Sequence, residues 1–191
     1  MAIFYLIRHG TPDYSERNTK IYQGFGTNLA PLSEQGISEI KHAAKDGRLS
    51  GADIILSSPY TRALQTAAIL SKELQVDIAV ETDLHEWMAN KEYVFESDDV
   101  AISHYRAFCE QAGVYPDGSD QDWEDRDHLR ARILPVLEQY SGYEKVIVCC
   151  HGMIIQALCD GYHARCGEIV AFQADGGIQK KKENFKGKEI I

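Results

Sequence analysis

Four short apolar runs constrain most strongly what this chain can fold into. Residues 3–7 (IFYLI), 53–56, 76–80 and 146–150 are each long enough for a buried strand and too short for a helix. Three of them end directly in polar residues: Arg8-His9-Gly10, Ser57-Ser58-Pro59 and His151-Gly152. Helical patterns lie between the runs. Ser33 caps a helix whose Ile37, Ile40 and Ala44 fall at helical spacing, and Ser58-Pro59 supplies a cap and a first-turn proline for a helix over residues 60–74. Alternating strands and helices predict an α/β fold with a mostly parallel sheet. Such folds place ligands beyond the carboxyl ends of the strands, which makes the polar residues after the runs the site candidates.

The size and composition agree with one domain spanning residues 1–191. With 191 residues, 44% of them apolar, the chain has enough material for a full core. No run of 18 apolar residues is present, and the opening MAIFYLIRHG lacks the basic start, long apolar stretch and cleavage site of a signal peptide, so a cytosolic location and no membrane partner are expected. The five cysteines show neither paired CxxC spacing nor the even count of a disulfide scaffold, so reduced core thiols are expected. A formal net charge of −9 repels polyanions and argues against nucleic acid as a partner. The sequence does not choose between a monomer and a homodimer.

From about residue 82 to 140 the pattern changes to an acidic aromatic stretch (HEWMANKEYVFESDD), a helix near 98–111, a turn at Tyr115-Pro116-Asp117-Gly118, and a further helix through Tyr140. It reads as a helical insertion rather than a second core. The last twelve residues carry five lysines and two glutamates, the pattern of a solvated terminal segment.

Parallel neighbouring strands would bring Arg8, His9, Arg62 and His151 to one rim of the sheet. Two guanidinium groups and two imidazoles suit a dianionic phosphoryl group, because the planar arginine fork pairs two phosphate oxygens at once. Arg62, in the first turn after Pro59, adds a helix N-terminus that also favours anions. Within such a pocket a neutral His9, held at one ring nitrogen, offers the other as a nucleophile, and a phosphohistidine intermediate follows. The leaving oxygen needs a proton; Glu86, with its pKa raised by burial near Trp87, is the best candidate, ahead of His85 and Glu81. Thr11, Gln23 and Ser58 are further candidates to bind the phosphate, although capping and turn roles explain them equally well. Trp87, Tyr93, Phe95 and Trp123 read as core before substrate wall, and His42, His104, His128 and His163 lack ligand spacing.

These segments resemble the histidine phosphatase superfamily, whose branches include the cofactor-dependent phosphoglycerate mutases and many small-molecule phosphatases. Arg8-His9-Gly10 followed by Thr11 matches its first motif, and Ser57 to Ala67 meets the SSPxxRAxQTA segment in full. His151-Gly152 matches its late His-Gly pair, Glu86 its acid, and Pro31 to Gly36 (PLSEQG) its first-helix entry. The resemblance implies a three-layer α/β/α sandwich and a two-step phosphoryl transfer through His9, with Arg8, Arg62 and His151 binding phosphate and Glu86 protonating the leaving group. It implies no metal and no other cofactor.

The chain departs from the mutase pattern, with Ser15 where mutases carry Asn and Met88-Ala89-Asn90 where they carry Tyr-Gly. A phosphatase acting on a small phosphorylated substrate is therefore the leading expectation. Phosphoglycerate mutase-type transfer and a weakly catalytic phosphate-binding module are the alternatives. A rival chemistry rests on Cys159 and Arg165, spaced as in cysteine-dependent phosphatases; residues 153–158 read as a helix, which keeps Cys159 away from the strand ends.

Overall fold

The structure, a computed structural model, describes residues 2–18, 26–116 and 119–173. Gln23, Asp117-Gly118 of the expected turn, and the lysine-rich tail lie outside the described residues. The runs of β-formers become β1 (Ile3–Arg8), β2 (Ile54–Ser57), β3 (Ile78–Val80) and β4 (Lys145–Cys150), and with a further strand β5 (Ile169–Phe172) the sheet order is β3-β2-β4-β1-β5. The first four strands are parallel. The fifth pairs antiparallel to β1 at the sheet edge and is an addition to the sequence reading.

Side-chain alternation along the strands sorts the core into two sides. Phe4, Leu6, Val146, Val148 and Cys150 face one way, and Ile7, Ile147 and Cys149 the other. The second side is covered by α2 (Glu34–Ala43) and α3 (Thr61–Leu74), which bury Ile40, Ala43, Ala67 and Leu70 there. The first side is covered by α5 (Arg126–Gln139) and α6 (Gly152–Leu158), through Leu129, Ile133, Ile154 and Leu158. The result is a three-layer α/β/α sandwich. Each fully buried Leu, Ile or Val contributes about 1.5–3 kcal/mol. A short α1 (Gly26–Leu29), the exposed α4 (Asp98–Glu110) and 3₁₀ turns at Gly47–Leu49 and Thr82–Leu84 complete the described elements.

Segment 82–140 builds no core of its own. Phe108 and Trp123 are buried in the same cluster as Phe4 and Leu6, and α5 forms part of an outer layer. Tyr93 and Phe95 correct the expectation of core burial, since each is 64% exposed.

The start of α2 follows the capping chemistry, whereas those of α3 and α6 carry no side-chain cap. The Ser33 side chain accepts the Gly36 N–H at 3.1 Å, as a capping serine should. In α3, by contrast, Tyr60 occupies the cap position without a side-chain bond and Pro59 precedes the helix. Ser58 is thereby left for another role. Gly10 and Gly36 let the turn after β1 lie against α2: a Cβ on Gly10 would stand 2.5 Å from the Gly36 carbonyl oxygen, and one on Gly36 2.2 Å from that of Thr11.

Candidate active site

Strand register brings the candidates together. Arg8 at the end of β1 pairs with Cys150 at the end of β4, and Ser57 at the end of β2 pairs with Cys149. The next residue on each strand, His9, His151 and Ser58, therefore emerges on one rim. Two backbone bonds extend the ladder past the strands, from His9 N–H to the Cys150 carbonyl and from Ser58 N–H to that of Cys149, both at 3.0 Å.

His9 is held at both ring nitrogens. Nδ1 lies 2.8 Å from the Gly10 carbonyl, which can only accept, so the proton resides on Nδ1 and the lone pair on Nε2. That lone pair receives the Nε–H of Arg62 at 3.1 Å. Burial, followed by the Arg62 guanidinium, lowers the His9 pKa to about 3, with the Gly10 bond opposing and Arg8 adding to the fall. His9 is thus a neutral imidazole at physiological pH despite two adjacent cations.

His151 is fully buried, its ring 5.2 Å from that of His9 between centroids. Its Nε2 lies 2.7 Å from the Ser58 hydroxyl, which also accepts the Tyr60 N–H at 3.3 Å. Burial and then Arg62 hold its pKa well below the usual histidine value. Arg8 donates from Nη1 to the Ala164 carbonyl at 2.7 Å and packs its guanidinium against Gly152, where an added Cβ would stand 3.3 Å away. Two buried polar atoms of the cluster, Arg8 Nε and His151 Nδ1, have no hydrogen-bond partner among the described residues. Buried polar atoms are almost always satisfied, so an unpaired pair at a strand-end rim marks where a ligand's acceptors fit.

Glu86 follows the turn Thr82–Leu84. Its Oε1 accepts the Trp87 N–H at 2.9 Å and its Oε2 lies 3.9 Å from His151 Nδ1. Burial raises its pKa above the ordinary carboxyl value, with Arg62 the main opposing influence. The side chain keeps 22% of its surface exposed, so the carboxyl is both desolvated and reachable. Its weaker rivals stand differently: Glu81 accepts from the Tyr140 hydroxyl, and His85 is buried with Nδ1 at 2.8 Å from the Glu86 carbonyl.

Thr11 is not brought to the cluster as a donor. Its N–H and hydroxyl are both occupied by Glu39 of α2, at 2.8 and 2.9 Å. The sequence reading missed Glu39 in that role, and also Thr66, whose hydroxyl accepts the Gly10 N–H and donates to the Arg62 carbonyl. Arg62 and Thr66 stand four apart in one helix, a spacing that could have revealed the pair. Tyr60, stacked on His85 and edge-on to His151, was likewise missed. Cys159 caps the far end of α6, about 12 Å from His151 at 1.5 Å per residue. Among the described residues no group of three or more His, Cys, Asp or Glu is arranged to hold a metal ion, and no helix is long and apolar enough to cross a membrane.

Proteins similar to this chain include several named as phosphatases. The chain is 27% identical over 162 residues to a Hydrogenobacter thermophilus protein provisionally named phosphoserine phosphatase 2, covering 83% of this chain and 77% of that one. It is 26% identical over 161 residues to an uncharacterised phosphatase of Bacillus subtilis, PhoE, with 83% and 76% covered. Among solved structures, the fold resembles a mycobacterial glucosyl-3-phosphoglycerate phosphatase, with TM-score 0.61, 21% identity, and 83% and 77% covered. It also resembles the α-ribazole phosphatase of Shigella flexneri, with TM-score 0.61, 17% identity, and 91% of each chain covered. The sequence profile of the histidine phosphatase superfamily (branch 1) matches residues 4–168, and the chain belongs to that family.

Proposed function

We propose that this protein hydrolyses small phosphomonoesters through a phosphohistidine on His9. The observation that carries the reading is the arrangement of the cluster: a neutral imidazole whose Nε2 lone pair is held by the Arg62 Nε–H, set among two guanidinium groups and two buried polar atoms, Arg8 Nε and His151 Nδ1, without a hydrogen-bond partner among the described residues. A dianionic phosphoryl group matches every part of that arrangement.

In the proposed first step the Arg62 Nε–H turns from His9 Nε2 to a phosphoryl oxygen, with Arg8 and His151 donating to the others. The Nε2 lone pair forms the N–P bond as the P–O bond to the leaving group breaks, and Glu86 transfers its proton to that oxygen. In the second step Glu86, now a carboxylate, takes a proton from water. The water oxygen attacks phosphorus, the N–P bond breaks, and its electron pair returns to Nε2. Ser58 keeps the His151 ring in place. The guanidinium and imidazole donors supply the charge stabilisation that other phosphatases take from metal ions, so the reaction is read as metal-independent.

Hydrolysis is favoured over mutase transfer because it requires only water at the phosphohistidine. Ser15, at the position of the mutase asparagine, is exposed and its N–H is turned to Asp13. A cytosolic location belongs to the same reading. Phosphate release across sugar phosphates, nucleotides, phosphoglycerates and phosphopeptides, with His9→Ala as the blank, tests it: turnover of at least one class that vanishes in the blank is expected. Phosphate release unaffected by His9→Ala would overturn the reading.

A further inference from the structure

The chain segment that carries Glu86 is held from outside itself. Residues 83–88 contain no regular element beyond the end of the turn Thr82–Leu84, and among the described residues the carboxyl's one hydrogen bond is local, from the Trp87 N–H. Arg132, on α5, engages all five of its N–H donors at this place. Nε donates to Glu124 Oε1 at 2.7 Å, and Nη2 donates to Glu124 Oε2 at 3.0 Å and to the Glu86 carbonyl at 3.3 Å. Nη1 donates to the His85 carbonyl at 2.9 Å and to that of Asp83. Glu124 completes the bracket. Its Oε2 accepts the Met88 N–H at 2.8 Å, its own N–H donates to the Met88 carbonyl at 3.1 Å, and its carbonyl accepts the Trp87 indole N–H at 2.6 Å.

The two side chains are only 11% and 6% exposed. A buried ion pair is a poor way to gain stability, because desolvation offsets most of the attraction and apolar residues of similar volume hold elements together as well. What an arginine–carboxylate fork provides and apolar packing does not is fixed orientation. Apart from the bonds between Arg132 and Glu124 themselves, every bond named above goes to residues 83–88, with Glu86 at their centre.

We infer that Arg132 and Glu124 are positioning residues that set where the Glu86 carboxyl stands relative to the leaving-group oxygen. This rests on the reading of Glu86 as proton donor. Displacing a catalytic group by about 1 Å can cost about 10² in rate. The cost should fall where the proton matters: on an alkyl monoester, whose leaving group needs it, and far less on p-nitrophenyl phosphate, whose leaving group has a conjugate-acid pKa of roughly 7.

The test is R132K, which keeps the charge and loses the fork, measured on both substrates. Alkyl-monoester kcat should fall about 10- to 100-fold and p-nitrophenyl phosphate kcat less than about threefold, with KM unchanged for both. The double variant E124M/R132M, which leaves no unpaired buried charge, should show the same selectivity and serves where R132K fails to fold. Adding R132K to Glu86→Gln should cost nothing further on the alkyl monoester, since the group being positioned is already gone. Equal losses on the two substrates, an undiminished R132K effect in the Glu86→Gln background, or loss of the fold in both variants would overturn the inference and leave the pair as a fastener of α5. Glu86→Gln that treats both substrates alike would instead overturn the proton-donor reading itself.

Discussion

The phosphate-facing side of the site and the leaving-group side are built by different means. Arg8, His9, Ser58 and His151 stand at or one residue beyond the ends of adjacent parallel strands, so hydrogen-bonded register fixes their spacing. Glu86 belongs to a stretch without regular structure, beside the exposed Tyr93, Val94 and Phe95, and is tied down by two residues about 40 positions later. A rigid sheet edge suits the half of the reaction common to all phosphomonoesters. A loop bracketed by an ion pair suits the half that must meet a variable leaving group, and low local structure is where such specificity segments are found.

The sharpest way to break this division is Glu86→Gln. Loss of the general acid should lower kcat for an alkyl monoester by about 10² to 10⁴ and for p-nitrophenyl phosphate clearly less. Steady-state rates on the two substrates check it, with burst kinetics to show whether dephosphorylation limits either. Equal losses would mean that the leaving-group side also shapes the phosphate pocket, and the two regions would no longer be separable.

Acid stability, compared between the parent protein and a His9 variant, tests the strand-end side. His9 and His151 are neutral in the fold, with His9 at about 3 and His151 well below its usual value, while in the unfolded chain each returns to about 6.5. Below pH 6.5 the unfolded state binds protons that the folded state refuses, so stability falls as pH drops, by about 1.4 kcal/mol per pH unit for each histidine. For His9 the fall continues until the pH nears 3. Denaturant unfolding between pH 6 and 4.5 should therefore show a slope shallower by about that amount in His9→Gln than in the parent protein. Identical slopes would mean that His9 is not held neutral by the cluster.

A smaller effect is expected from chelation. If arginine and histidine donors stabilise the phosphoryl oxygens, EDTA should leave turnover nearly unchanged. A strong loss restored by Mg²⁺ or Zn²⁺ would place a cation where Arg8, Arg62 and His151 are assigned.

The same contrast explains what the sequence disclosed. β1, β2 and β4 were legible because runs of Ile, Val and Leu stop abruptly at polar residues, and a parallel sheet carries those stops to one edge. β5 was missed: Ile169–Phe172 ends in no chemistry-bearing group that would mark it. Pro59 read as a first-turn proline, but it lies outside α3 because Tyr60 takes the extended cap conformation and leaves the Ser58 hydroxyl for His151. Thr11 follows His9-Gly10 closely enough to suggest a phosphate donor, yet Glu39, 28 residues later, takes both its donors. The bracket around Glu86 was unreadable for a similar reason. No periodicity links Glu124 and Arg132 to residues 83–88, and only the packing of α5 against that turn brings them together.

The central claim is that phosphorus is carried on His9. Rapid mixing with ³²P-labelled monoester and alkaline quenching should trap label in a base-stable, acid-labile linkage, and peptide mapping should find it on residue 9 and nowhere in His9→Ala. Label on Cys159, or multiple-turnover hydrolysis by His9→Ala at a rate comparable to the parent protein, would contradict the account.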